Sequence, residues 1–375
     1  MPPLSLLIKP ASSSCNLRCK YCFYHSLAEK RSTESFGLMS SDTLELLVKK
    51  ALKYAEYSCT FAFQGGEPTI IGPDFFKKLI EYEKTYNTGK IQINNAIQTN
   101  GMLINDEWAE FFSANNFLVG ISLDGPKDIH DANRFDARNK GSFSRVMNAV
   151  DLFNKHKVEY NILTVVNSYT ARHISKIYTF FKKNGFKYLQ FIPCLDPFDE
   201  NPGNNDFSLT PARYTYFLNT LFDLWHEDIN KGEMISIRYF DNLVGMAMGY
   251  PPESCGMSGQ CVCYYVIEAN GGVYPCDFYV IDRWYLGNIK DDGFEELRQK
   301  DAALEFINVS KHADPKCLEC KWANFCRGGC RRNREPFIDG KPVLNYYCSA
   351  YEKFYEHAGS RIVELARRFS SNSRG

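Results

Sequence analysis

Residues 4–22 read LSLLIKPASSSCNLRCKYC, a short apolar run that opens into a loop carrying Cys15, Cys19 and Cys22. Ser5 to Ile8 has the character of a strand, and the loop behind it has little room for a hydrophobic core. Three thiolates so close in sequence can converge on one soft metal centre. Four irons held by three cysteines leave one iron open, much as a three-ligand catalytic zinc site keeps a position for a reactant. A structural zinc site or a chance spacing is the competing account.

Beyond this loop, β-rich runs at Thr60 to Gln64, Ile91 to Gln98, Leu118 to Leu123, Glu159 to Val166 and Tyr188 to Ile192 alternate with helical patterns. The helices expected are Asp42 to Tyr54, Asp74 to Tyr86, Asp106 to Ala114, Phe143 to His156 and Arg172 to Asn184. This rhythm is that of repeated βα units around a parallel sheet, so the class is α/β and six units imply a partial or complete barrel of TIM type. Chemistry in such barrels sits on the loops after the strands' carboxyl ends. Leu195 to Leu209 reads as a loop, followed by a connecting helix with Thr210 as N-cap and Pro211 at its first position. From about Cys255 the rhythm stops, and Tyr264 to Ile267, a turn at Asn270 and Gly271, and Val273 onward read as a hairpin. The expected division is a core domain over 1–235, a linker over 236–254 and a smaller cysteine-rich domain over 255–370.

Forty-four basic and forty-four acidic residues cancel, and no block of like charge suggests a nucleic-acid or anionic-membrane footprint. Met1 to Pro10 lacks the length and flanks of a signal peptide or spanning helix. A cytoplasmic location follows. The cytosol keeps thiols reduced, so fourteen cysteines in such a chain point to metal or redox chemistry rather than disulfides. Cys59 and Cys194 stand apart from the rest and are most simply small buried apolar residues.

The triad, with Tyr21 and Phe23 flanking Cys22, resembles the CxxxCxxC loop of the radical S-adenosylmethionine superfamily. In that family the open iron is chelated by the amino and carboxylate groups of S-adenosylmethionine, and an electron from the cluster cleaves the sulfonium to a 5'-deoxyadenosyl radical. Gly65-Gly66-Glu67-Pro68 resembles the family's GGEP motif, where glycine lets the backbone approach the methionine amino group. Gln98-Thr99-Asn100-Gly101, Ser122-Leu123-Asp124-Gly125-Pro126 and Arg134 resemble positions lining the methionine carboxylate and the ribose. Arg134 is suited to pairing with a carboxylate bidentately. The cofactor contacts this resemblance implies are Tyr21, Gly66, Ser122, Arg134 and the backbone of Leu195.

Towards the carboxyl terminus the spacing Cys261-x9-Gly271-x4-Cys276, Cys317-x2-Cys320-x5-Cys326-x3-Cys330 and Cys348 resembles the seven-cysteine SPASM extension of peptide-modifying radical enzymes. Four of these cysteines alone, Cys317 to Cys330, also suit a zinc knuckle. The resemblance instead implies interleaved ligand sets, Cys255, Cys261, Cys276 and Cys330 for one 4Fe-4S cluster and Cys317, Cys320, Cys326 and Cys348 for another. Both would be fully ligated, which suits electron transfer. Cys263, two residues from Cys261, competes with Cys255 for the fourth place.

Tyr274-Pro275-Cys276-Asp277-Phe278-Tyr279 resembles the anaerobic sulfatase-maturating enzymes, in which the aspartate after the cluster cysteine acts as base. Ile8-Lys9-Pro10, Cys22-Phe23-Tyr24 and Phe63-Gln64-Gly65-Gly66-Glu67-Pro68 point the same way. The resemblance implies three 4Fe-4S clusters, S-adenosylmethionine, and oxidation of a cysteine or serine in an unfolded sulfatase Cys/Ser-x-Pro-x-Arg segment to Cα-formylglycine, with Asp277 taking the thiol or hydroxyl proton. It also implies a small electron-transfer protein such as flavodoxin or ferredoxin as partner. The nearest alternative is a SPASM enzyme forming a thioether cross-link, whose leader-binding domain finds no room before Cys15. A non-catalytic iron-sulfur electron carrier or a zinc-binding module would explain the cysteines but not the GGEP loop or the barrel.

Overall fold

The computed structural model describes residues 3–198 and 200–372. Its strands, in chain order, are β1 (Leu4–Ile8), β2 (Ser58–Phe63), β3 (Gln92–Thr99), β4 (Leu118–Ser122), β5 (Tyr160–Val166), β6 (Tyr188–Pro193), β7 (Ser236–Ile237), β8 (Val266–Ile267), β9 (Gly272–Tyr274) and β10 (Gly287–Asn288). The chain folds into two compact units. One comprises the described residues up to 123 together with 130–161 and 262–306, the other 124–129, 162–261 and those from 307 onward. The units therefore interleave along the sequence.

In the first unit β1 to β4 run parallel in sequence order, and β8 adds to the free side of β1 before β9 and β10 continue antiparallel. The register pairs Ile8 with Phe63 and with Ile267, so the strands β1, β2 and β8 end level. The residues just beyond those ends are Lys9, Gln64 and Glu268. Level ends are what place three residues from distant parts of the sequence at one rim.

The core beneath follows from side-chain periodicity. β2 buries every second residue, Cys59, Phe61 and Phe63, while the helix Ser41–Tyr54 buries Leu44, Leu47, Val48 and Ala51 at helical spacing. Ser40 starts that helix by accepting the Thr43 N–H, satisfying one of the donors a helix start leaves unpaired. Phe63 and Phe76 pack edge to face at 4.9 Å, and Phe76 continues to Trp108 at 5.4 Å. Each such ring, fully buried, is worth roughly 2–3 kcal/mol relative to exposure.

In the second unit β5, which begins in the first, pairs parallel with β6, and β6 with β7. The helix Pro211–Asn230 has Thr210 as N-cap, as the sequence indicates, and packs on the helix Cys348–Asn372 through Phe222 and Phe354, whose rings lie 5.8 Å apart. The six parallel strands of the βα rhythm are all present, within two residues of their expected starts. Two details differ from expectation. The pattern Arg172 to Asn184 is two helices, Ser168–Arg172 and Ile174–Lys183. Asn167 captures the Tyr169 and Thr170 N–H groups and begins a helix earlier than the apolar pattern signals. The stretch expected as a linker holds β7 and the helix Arg238–Ala247, which buries Phe240, Leu243 and Val244. Among the described residues no helix is long and apolar enough to cross a membrane.

Candidate active site

The triad loop leaves β1 and is closed by the turn after β2. The Glu67 N–H donates to the Ser14 carbonyl at 2.8 Å. Gly66 sits at φ +56, and a Cβ there would stand 2.3 Å from the Ser14 carbonyl oxygen and 2.9 Å from that of Ser12. Glycine is thus required by the backbone of the triad loop itself, a reason the sequence reading, which looked only to the methionine amino group, did not contain. Glu67 is buried and accepts from the Thr99 hydroxyl at 2.7 Å and the Asn100 N–H at 2.7 Å, tying the loop after β2 to the end of β3.

Cys15, Cys19 and Cys22 interact electrostatically, and burial pushes the Cys15 thiol up to about 12. The Leu17 N–H points at Cys15 Sγ from 3.4 Å and Asn100 Nδ2 from 3.7 Å. Thiols bind metal as thiolates, so loading such a loop releases protons and gains from those donors. Arg134 is buried, donates to the Tyr21 hydroxyl at 2.9 Å and lies close enough to Cys22 to favour its thiolate. Ser122 Oγ accepts from Gln98 Nε2 at 3.0 Å. Triad, Gly66, Tyr21, Ser122 and Arg134 all belong to the first unit; Leu195 follows β6 in the second.

Asp277 begins a short turn of helix directly after Cys276. It is buried and its carboxyl is held above the usual range by that burial, opposed chiefly by the Lys9 ammonium and the Tyr24 hydroxyl. Tyr24 donates to Oδ2 at 2.5 Å, and Gln64 Nε2 reaches Tyr24 at 2.9 Å. Lys9 Nζ lies 3.7 Å from Oδ1, 3.9 Å from Glu268 Oε1 and 4.2 Å above the Tyr24 ring. Glu268 in turn takes a 2.6 Å bond from Arg31. Oδ1 accepts no hydrogen bond. One carboxylate oxygen is therefore anchored and the other is left with an unused lone pair facing a cation.

The remaining cysteines fall into groups. In the second unit Cys330 interacts with Cys255 and Cys261, whereas Cys326 interacts with Cys348, Cys317 and Cys320. These last four line a cavity of about 260 Å³ that Arg334 and Trp322 also line. Cys276 follows β9 in the first unit, where Cys263 meets the Tyr265 N–H and Arg298. Cys59 and Cys194 are buried, as expected of small apolar residues. Among the described residues no three His, Cys, Asp or Glu side chains gather tightly enough for a single metal ion. Four thiolates around one zinc, with bonds of about 2.3 Å, crowd closer than thiolates that each take a different iron.

Residues 10–181 match the radical SAM superfamily and residues 255–321 the SPASM iron-sulfur cluster-binding domain. A cysteine-type anaerobic sulfatase-maturating enzyme of Clostridium perfringens is 52% identical over 366 residues, covering 98% of this chain and 99% of its own. The chain belongs to the anaerobic sulfatase-maturating enzymes. A cysteine-type enzyme of Clostridium novyi is 51% identical over 98% of both chains, and a serine-type enzyme of Bacteroides thetaiotaomicron is 35% identical over 95% of this chain and 89% of its own. The solved structure of native anSMEcpe with bound AdoMet and Kp18Cys peptide superposes with a TM-score of 0.95 at 51% identity, over 98% of this chain and 100% of that one.

As a sulfatase-maturating enzyme the chain is a radical S-adenosylmethionine enzyme with 4Fe-4S clusters, and the cross-linking, electron-carrier and zinc-module readings fall away. Its donor sets fit: grouped, half-buried thiols, N–H donors on the Cys15 sulfur, and a glycine cradle beside the triad. Sequence reasoning quoted Lys9, Tyr24 and Gln64 only as family likeness, and did not see that they surround Asp277 with Glu268 and Arg31. A signal existed. Lys9 and Gln64 each directly follow a strand's carboxyl end, where this architecture places its chemistry.

Proposed function

We propose that this enzyme oxidises the cysteine of an unfolded Cys-x-Pro-x-Arg sulfatase segment to Cα-formylglycine, with Asp277 as the base. The observation that carries the role of Asp277 is its divided carboxylate: Oδ2 fixed by Tyr24, Oδ1 without a hydrogen bond and 3.7 Å from Lys9. A general base needs a free lone pair within reach of the proton it takes and a charge that survives burial. Preference for cysteine over serine follows the gradient of likeness, 52% and 51% to cysteine-type enzymes against 35% to a serine-type one.

When bound at the triad, the cluster and S-adenosylmethionine supply a 5'-deoxyadenosyl radical that removes a substrate β-hydrogen. Tyr21, Gly66, Ser122, Arg134 and the Leu195 backbone would hold the nucleotide, Arg134 answering the methionine carboxylate. Asp277 Oδ1 accepts the thiol proton while Tyr24 and Gln64 hold its partner oxygen still, and the resulting thioaldehyde takes up water and releases hydrogen sulfide to give the aldehyde. The auxiliary ligand sets are Cys255, Cys261, Cys276 and Cys330, and Cys317, Cys320, Cys326 and Cys348. The mutual interactions of Cys255, Cys261 and Cys330 support Cys255 over Cys263 as the ligand. Clusters held by these sets would supply a path for the surplus electron, with a small carrier such as flavodoxin or ferredoxin as the cytoplasmic partner. Residues 1–235 form the radical core and 255–370 the auxiliary-cluster domain.

The test is to incubate the anaerobically reconstituted enzyme with S-adenosylmethionine, reductant and paired Cys-x-Pro-x-Arg and Ser-x-Pro-x-Arg peptides. A hydrazine-reactive aldehyde is expected, formed faster from cysteine. Equal or faster oxidation of the serine peptide would reverse the assigned preference.

A further inference from the structure

Arg334 lies in the short turn Arg331–Arg334 that follows Cys330, and only 3% of it is exposed. Its guanidinium donates to two backbone carbonyls, that of Ser310 at 2.9 Å and that of His312. Among the described residues it has no carboxylate partner. A buried guanidinium without an anion is costly, because carbonyl dipoles replace its hydration but not a counter-charge. The groups it faces that become anions when they bind metal are cysteines. It lines the cavity ringed by Cys317, Cys320, Cys326 and Cys348. On its other side Ser310, whose carbonyl it holds, accepts the Cys261 N–H at 2.8 Å. Its charge acts on Cys317 of one set and on Cys261 and Cys330 of the other.

We propose that Arg334 is a buried counter-charge shared by the two auxiliary cluster sites, and that it raises the electron affinity of both. The inference rests on the ligand sets assigned above. A thiolate-ligated cluster gains a further negative charge on reduction, so a fixed cation nearby favours the reduced form. Burial removes the screening that would blunt a surface lysine. In the transfer between the sites one electron leaves the first cluster, which returns to its oxidised form, and enters the second, which becomes reduced. No bond or proton changes hands. A charge common to both lowers the cost of an electron on either and leaves the difference between the two, which drives the hand-over, nearly unchanged.

The experiment uses the full chain with Cys15, Cys19 and Cys22 changed to alanine, so that only the auxiliary signals titrate. EPR-monitored reductive titration compares this protein with versions carrying Arg334→Gln and Arg334→Lys. With Gln, both clusters should show about a tenfold lower reduced-to-oxidised ratio at a given ambient potential, or about 59 mV for one electron. Lys, which keeps the charge and loses the fork, should recover most of the shift. Unchanged potentials, or a shift in one cluster alone, would overturn the shared role. If the Gln protein does not hold its iron, Arg334→Lys decides: a smaller shift in the same direction at both clusters supports the proposal, and none refutes it. Absence of about eight auxiliary irons with Arg334 intact would instead sink the ligand assignment.

Discussion

The charges around Asp277 make a testable separation of the two roles proposed for it, base and counter-ion. Lys9, Arg31, Glu268 and Asp277 are all buried, and two cations face two carboxylates. Asp277→Asn removes the base but also leaves Lys9 with one carboxylate, Glu268 at 3.9 Å. Breaking a buried pair from one side costs about 3–5 kcal/mol; the surviving Glu268, and the burial that already holds the Asp277 carboxyl above its usual range, put the expected value below that, about 2 kcal/mol. Lys9→Met should cost a similar amount from the other side. The double variant restores neutrality, so it should be more stable than the sum of the singles by about 2 kcal/mol, read from urea midpoints of iron-replete protein. Stability returns, but the base does not. Formylglycine per 5'-deoxyadenosine should stay about 10²- to 10⁴-fold below wild type in both Asn variants, because abstraction precedes or accompanies the step a base serves. Wild-type coupling in an iron-replete Asp277→Asn protein would refute the assignment of the base. Strict additivity in the cycle would refute the charge pairing.

The native protein should carry about twelve irons and negligible zinc, and changing Cys15, Cys19 and Cys22 together to alanine should abolish 5'-deoxyadenosine while leaving about eight; stoichiometric zinc, or cofactor cleavage in that variant, would count against the cluster assignment. Cys255→Ser should cost about four irons and Cys263→Ser none, with the reverse result exchanging their roles. Glu83 is buried, bonded to Asn95 at 3.1 Å and pushed up by burial to about 7. A carboxyl raised in the folded state gives its full stability below the ordinary carboxylate range and loses it as pH rises towards about 7. Glu83→Gln should therefore gain about 3 kcal/mol over wild type at pH 8 relative to pH 4, a difference that urea midpoints at the two pH values check.

Strands and the helices between them were legible because their signals are local: alternation in β2, helical spacing of Leu44, Leu47, Val48 and Ala51, Thr210 and Pro211 at a helix start. The helix Cys348–Asn372 was not assigned, although Ala350, Phe354, Ala358, Ile362 and Leu365 recur at helical spacing and are buried. What no local reading reaches is the company of a residue. Lys9, Gln64 and Glu268 are scattered over 260 positions and meet because β1, β2 and β8 end level, and Tyr24 joins them from the helix Phe23–Glu29 behind the triad loop. The grouping of Cys330 with Cys255 and Cys261, rather than with its sequence neighbour Cys326, is of the same kind.

The distance between Lys9 and Asp277 bears on how a buried carboxylate balances charge against basicity: burial holds its carboxyl above the usual range, and Lys9 opposes that. A direct ammonium hydrogen bond, at about 2.8 Å, would secure the charge but occupy the lone pair and weaken the base. With no cation, burial alone would favour the neutral acid, which cannot accept a proton. At 3.7 Å the ammonium supplies attraction without occupying Oδ1. Lys9 is held off by its other contacts, Glu268 at 3.9 Å and the Tyr24 ring at 4.2 Å, while Arg31 keeps Glu268 in place from the far side. Gly65 completes the arrangement, since a side chain there would stand 2.8 Å from Lys9 Cε and displace it. The first glycine of the GGEP turn thus makes room for Lys9, and the second for the backbone of the triad loop.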